Sequence, residues 1–222
     1  GSNNCLLSNC YSNSKLVTHK VGNPDITVGV AGGFSYQVSG TNFENCYSIF
    51  DINTLRGSGF AYSLNGCNLY MCYSEGNFNL FTTKLNGLFT SALTSTNLRD
   101  CYLKSNINEL QNKENIFVFT QVRNSNVTNF YYAGSDVKNV IFRTRDSQIN
   151  NFHLLRSSNE EFDYVSEDTG ETPSTLDISV YIKPEDMYFL ADKLNEGQDE
   201  EVWINVMHNY PKLINRTNSK ML

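Results

Sequence analysis

Two stretches of the chain repeat one pattern of apolar and polar positions. RNSNVTNF covers residues 123–130 and RDSQINNF covers 145–152. Each holds a β-branched residue, Val127 or Ile149, between polar neighbours, with a Phe three positions on. The same local grammar recurs at Ile107, Leu88, Cys67 and Cys46, and more faintly at Ile26 and Cys5. Successive steps from Cys5 to Ile149 are 21, 20, 21, 21, 19, 20 and 22 residues. A turn-former precedes most markers by two positions, as at Asn3, Asn65, Asn86, Ser105, Ser125 and Ser147. A large apolar residue often follows by three: Ile49, Tyr70, Leu110, Phe130, Phe152. Ser91 and Gly29 break that second column.

A fixed period of this length, written as turn, short strand and turn, predicts stacked repeats. Stacked strands place equivalent residues about 4.8 Å apart, so like sits on like. The expected fold is mainly β: a parallel β-helix (β-solenoid) of about 21 residues per rung over 1–158. In that register Cys46 lies under Cys67 and Phe130 under Phe152. A leucine-rich repeat is the rival by period, but its spacing of three Leu is not met.

The pattern changes near residue 160. Residues 160–222 carry 14 acidic and 5 basic residues, a net −9, whereas residues 1–159 carry +3. EEFDYVSEDTGETPS falls in a stretch, 159–175, that reads as an acidic linker. A small α+β domain is expected over 176–222. LDISVYI and EVWINVMHNY alternate like strands, and Pro184 opens a helix whose Met187, Leu190, Ala191 and Leu194 share one face. Gly197 stops it. So small an element is expected to cap the solenoid end or to join neighbouring chains.

Composition sharpens this reading. The chain of 222 residues holds 30 Asn against 4 Pro and 1 Trp. Asn bonds local backbone and tolerates the left-handed region, so it suits many turns. The six Cys form no CxxC pair, which argues against a zinc site; they read as buried thiols in a reducing compartment. No apolar run approaches the ~18 residues of a membrane span, and no basic stripe points to nucleic acid.

Candidate chemistry is sparse. No catalytic or metal-binding motif is found, and no cofactor is implied. His19, His153 and His208 lie in different segments. The run Glu160, Glu161, Asp163, Glu167, Asp168 lacks the order of a tight Ca²⁺ loop. The best ligand-binding candidate is a basic strip. Arg123 and Arg145 hold equivalent places, Arg143 shares a strand face with Arg145, and His153 and Arg156 follow. Such a strip suits a carboxylate or sulfate on a glycan; its alternative is pairing with nearby Asp or a neighbouring chain. Tyr62, Tyr70, Tyr73, Tyr131 and Tyr132 offer aromatic surface on which sugars or core neighbours stack.

The turns SNNC, LSNC, FENC and LNGC, with their stacked period, resemble those of β-helical tail-fibre, tail-spike and baseplate-associated virion proteins of tailed bacteriophages. The resemblance implies a non-enzymatic structural or adhesion module in the virion. It implies a homo-oligomer, a trimer in particular, that binds a cell-surface glycan or another virion protein. A β-helical polysaccharide lyase or hydrolase is the alternative of another class, and a bacterial surface adhesin is a third. The scatter of Asp51, Glu75, Asp100, Glu109, Glu114, Asp136 and Asp146 weighs against the enzyme.

Overall fold

A computed structural model describes residues 5–17, 30–80, 85–110, 115–134, 137, 139–156, 164–207 and 209–214. The chain is mainly β, and its two large sheets are parallel throughout. One sheet stacks Ser35–Ser39, Ala61–Asn65, Asn86–Thr94, Ile116–Arg123, Asn139–Arg145 and Val165–Asp168. The other has ten strands and two arms. Cys5–Ser8, Thr41–Glu44 and Asn68–Tyr70 lead into the first half of Asn97–Leu110. Tyr11–Val17, Tyr47–Thr54 and Tyr73–Leu80 lead into its second half. Asn126–Gly134, Gln148–Leu155 and Thr175–Tyr181 continue the stack. Val30–Gly32 and Arg56–Ser58 form a small third sheet.

Two corners explain the Asn, Ser and Cys of the sequence. Where the arms of the ten-stranded sheet meet, one residue takes left-handed φ: Asn9, Asn45, Met71, Asp100, Asn129 and Asn151. At the corner between the two large sheets the same holds for Gly40, Gly66, Ser95, Asn124 and Asp146. Asn, Asp and Gly tolerate this region best. At most of these places the N–H donates to a carbonyl of the next strand in the stack, as Asn45 does to Tyr70 and Asn124 to Arg145, while the Asn151 N–H meets Asp177 Oδ2. Except after Asn129 and Asn151, where Phe130 and Phe152 follow, a Cys, Ser or Thr follows and turns inward. Its side chain reaches the carbonyl two residues back: Cys46 Sγ to Glu44 O at 3.4 Å, Cys101 Sγ to Arg99 O at 3.3 Å, Thr96 Oγ1 to Thr94 O at 2.9 Å and Ser147 Oγ to Arg145 O at 2.8 Å. A thiol or hydroxyl is short enough to fit and polar enough to bond there. All six Cys are free; Cys46, Cys67, Cys72 and Cys101 are buried and Cys5 is exposed.

Like does sit on like, at a different period. Asn42, Asn68, Asn97 and Asn126 form an amide ladder with 2.7, 2.9 and 2.9 Å links. The sequence separations between neighbours in the stack are 36, 26, 29, 29, 22 and 27 residues. The expected even step near 21 is therefore corrected, and only the step from Val127 to Ile149 keeps its length. Phe130 does neighbour Phe152. Cys46 does not lie under Cys67: it neighbours Cys72, each just before the paired Tyr47 and Tyr73, and Cys67 neighbours Thr96. The reason is that inward residues from different sheets share one spacing. Leu88 belongs to Asn86–Thr94 and Ile107 pairs with Phe78, so they are not equivalent places.

The parallel stacking also runs past residue 158. Val165–Asp168 pairs with Asn139–Arg145, and Thr175–Tyr181 with Gln148–Leu155. Part of the stretch expected as linker is thus strand. After Tyr181 come a 3-10 turn at Pro184–Met187, a short helix Ala191–Leu194 and an antiparallel hairpin of Trp203–Val206 with Asn209–Leu213. Met187, Leu190, Ala191 and Leu194 are all buried, as their spacing predicts, although a turn divides them. Among the described residues no helix is long and apolar enough to cross a membrane.

Two outcomes are expected from this packing. Val127 is fully buried between Leu98 and Ile149. Val127→Asp adds an unpaired charge to that column and is expected to cost more than about 4 kcal/mol, abolishing the cooperative thermal transition. In a thiol-reagent assay of the native protein, Cys5 is expected to react quickly, and Cys46, Cys67, Cys72 and Cys101 only after urea is added. Mutual bonding with Cys72 and burial hold the Cys46 thiol far above its usual range, and burial does the same for Cys72.

Candidate functional site

The basic strip divides between two sheets. Arg123 and Arg145 are lateral neighbours in the six-stranded sheet, and Arg143 lies on the same strand as Arg145. His153 and Arg156 belong to the ten-stranded sheet, His153 within its last strands and Arg156 just beyond Gln148–Leu155. The three sheet arginines have different fates. Arg143 donates through Nε and Nη2 to one oxygen of Glu167, at 2.7 and 2.5 Å. Arg145 Nε meets Asp146 Oδ2 at 3.2 Å. Arg123 Nε is buried without a hydrogen-bond partner among the described residues. Asp146 is held below the usual carboxylate range, chiefly by the Thr172 N–H and also by Arg145. Local pairing thus accounts for Arg143 and Arg145.

Of the acidic run, Glu160, Glu161 and Asp163 lie outside the described residues, as do His19 and His208. Asp168 accepts the N–H of Ser174 at 2.8 Å and shapes a turn. Among the described residues no group of three His, Cys, Asp or Glu could hold a metal ion.

His153 is buried between Tyr131 and Ser179 of the neighbouring strands. Its Nε2 lies 2.8 Å from Asn151 Oδ1 and its Nδ1 3.1 Å from the Tyr181 hydroxyl. Asn151 spends its Nδ2 on Asn129 Oδ1 and Lys193 O. Its oxygen can only accept, so the imidazole carries its proton on Nε2. Burial, then the nearby Lys193, lowers the His153 pKa to about 4, against a smaller opposite pull from Asp177. The ring is held neutral at pH 7 by its burial, with both nitrogens bonded inside the structure.

The aromatic surface that matters lies on the ten-stranded sheet. Tyr11, Tyr47, Tyr73, Tyr102 and Tyr131 stack with centroid spacings of 5.4, 4.7, 4.7 and 4.8 Å. The C-terminal unit lies across the upper part of this ladder, against the face of the sheet. Trp203 packs on Tyr102 and Tyr131, and Tyr131 donates its hydroxyl to Pro211 O at 2.8 Å. Asp100 pins the unit down. It is fully buried, and its Oδ1 accepts from Asn129 Nδ2, Gln198 Nε2 and Trp203 Nε1 at 2.9, 2.8 and 3.1 Å, while Arg99 Nε bonds its Oδ2 at 3.2 Å.

Beside the unit, the lower ladder lines an open groove of roughly 540 Å³, with Tyr47, Tyr73, Glu75, Asn45 and Lys212 on its walls. The stacked rings cover each other's faces, so the groove receives their edges and hydroxyls. Burial, then Tyr47 and Glu75, pushes the Tyr73 phenol up to about 12, so it stays protonated. Glu75 accepts the Tyr102 hydroxyl at 2.7 Å. Tyr131 and Tyr132 are buried, and Arg99 lies over the Tyr70 ring. Only Tyr73 of the aromatic candidates reaches this groove, and Tyr62 stacks on Tyr36 in the other large sheet. Tyr11 and Tyr47 were missed, although NCYS at 9–12 and again at 45–48 marks both.

The chain matches no protein-family model, no curated protein and no solved structure.

Two measurements check these assignments. Below pH 6.5 the unfolded chain takes up a proton on His153 that the folded state refuses until about pH 4. His153 therefore contributes nothing unfavourable at pH 7, and its contribution turns against folding as pH falls. Urea unfolding is expected to show a loss of about 2 kcal/mol from this residue between pH 7 and 5, absent in His153→Gln. Separately, Arg145→Ala is expected to change stability by less than about 0.5 kcal/mol, and Arg143→Ala by about 1 kcal/mol, because exposed pairs are weak and only Arg143 makes two bonds.

Proposed function

We propose that the chain is a non-enzymatic binding module built as a parallel β-solenoid. Its stacked sheets hold a rigid outer face on which a glycan or a protein partner docks. The reading is that of a structural or adhesion module of the tail-fibre or tail-spike kind, working as a trimer. The observation that carries it is the groove along Tyr11, Tyr47 and Tyr73. It is lined by evenly spaced phenol edges and amides on a scaffold that does not need to move. Hydroxyl-rich polymers are matched by such rows of donors and acceptors. The groove's carboxylate, Glu75, is engaged by Tyr102, so its walls present no pair of carboxylates for acid–base catalysis.

The test is binding to immobilised bacterial polysaccharides, with the double variant Tyr11→Ala/Lys212→Ala altered only at the groove's rim. Capture that falls at least fivefold in the variant supports the reading. Release of reducing or unsaturated sugar ends would replace it with the lyase or hydrolase alternative. Light scattering should give three times the 25.2 kDa chain mass; a monomer would remove the fibre role.

A further inference from the structure

A second recess lies on the six-stranded sheet, and it arises from a gap in an aromatic column. Tyr36 and Tyr62 stack there at 5.5 Å with rings 10° apart. Pairing sets Ala61 and Ser63 beside Thr90 and Ala92, and these beside Phe119 and Gln121. The two places after Tyr62 therefore fall to Ser91 and Thr120. Small hydroxyl residues stand where rings would continue the stack. The space left over is a solvent-open cavity of roughly 460 Å³, within the range of about 300–1,000 Å³ common for small-molecule sites.

Its chemistry is one-sided. Arg56 lines it, with Nη1 bonded to the Tyr62 hydroxyl at 3.3 Å. Among the described residues no carboxylate pairs with Arg56, in contrast to Arg143 and Arg145. Thr120 is 8 % exposed and lines the same cavity, yet its buried Oγ1 has no hydrogen-bond partner. Leaving a buried hydroxyl unpaired is unfavourable, and a ligand oxygen would relieve it. Gln121 adds an amide at the wall.

We propose that this cavity binds an acidic sugar unit, a uronic or sialic acid. Its carboxylate is held by Arg56, its ring sits in the place of the missing aromatic next to Tyr62, and a hydroxyl reaches Thr120. Guanidinium is suited to a carboxylate by geometry and charge, and an aromatic ring is suited to the apolar face of a sugar. The site is separate from the Tyr11–Tyr73 groove, so failure of either leaves the other standing.

The probes are D-glucuronate, glucose and acetate, followed by calorimetry and ligand-observed NMR. Glucuronate is expected to bind at least tenfold more tightly than either control, and Arg56→Gln to weaken it by about tenfold or more. Thr120→Val provides an opposite-signed check: it removes an unpaired hydroxyl, so it should raise the melting temperature while weakening glucuronate severalfold. Comparison of free glucuronate with a glucuronate oligomer names the source, a monosaccharide or a unit within a polymer, by the tighter of the two. The proposal is overturned if glucuronate binds no better than glucose and acetate, or if folded Arg56→Gln binds it as well as the unaltered protein.

Discussion

The structure depends on one local arrangement, repeated up the stack. A residue in the left-handed region turns the chain, and the side chain after it folds inward to bond the carbonyl two residues back. The turn directs the preceding and following strands along different faces. The inward bond goes to a carbonyl that already accepts an N–H from the neighbouring corner, as Glu44 O does from Asn9 and Arg145 O from Asn124, and it gives the buried thiol or hydroxyl its partner. Where the left-handed N–H reaches the next strand in the stack, as at Asn45 and Asn124, the corner also fixes the height of its neighbour. Asn supplies the turn, and Cys, Ser or Thr supplies the bond. The apolar core, from Phe43 through Leu69, Leu98 and Val127 to Ile149, then follows as a column set by those corners.

Much of this was legible. Parallel stacking, turns rich in Asn and the buried face of the 187–194 segment follow from the order of residue types, and the expected burial of the thiols holds for Cys46, Cys67, Cys72 and Cys101 but not for Cys5 or the half-buried Cys10. Register was not, for a physical reason. Val127 and Ile149 are true neighbours because only 22 residues separate them, a length the chain kept. Cys67 and Cys46 look alike because both follow a left-handed residue, yet they follow it at different corners. One spacing serves two corners, so residue type alone leaves the corner ambiguous. The tetrad NCYS resolves it, since the Tyr beside the Cys belongs only to the arm that carries the ladder.

The site was less legible than the fold. The arginines at 123, 143 and 145 do gather on one sheet, as their spacing suggests, but two of them meet acids that lie close by in the stack or the chain. Arg56 has no repeat partner to draw attention, and its setting depends on what is missing beside Tyr62. The Tyr ladder is divided by Asp100: a buried carboxylate bonded by Trp203 and Gln198 brings the C-terminal unit over Tyr102 and Tyr131 and leaves the rings below them open.

The unequal separations along the stack have one further consequence. As far as Gln148 two corners are each turned in a residue or two, as from Ser39 to Thr41 and through Asn45, whereas the last, from Asp168 to Thr175, is longer. The lengths of chain between consecutive strands differ more from Val17 to Val30, Leu80 to Asn86, Leu110 to Ile116 and Leu155 to Val165. Leu85 and Asn115 stand in two of these stretches and border the Arg56 cavity. Length in such connecting stretches is separate from strand register, so the residues that border the Arg56 cavity can change while the paired strands keep their places.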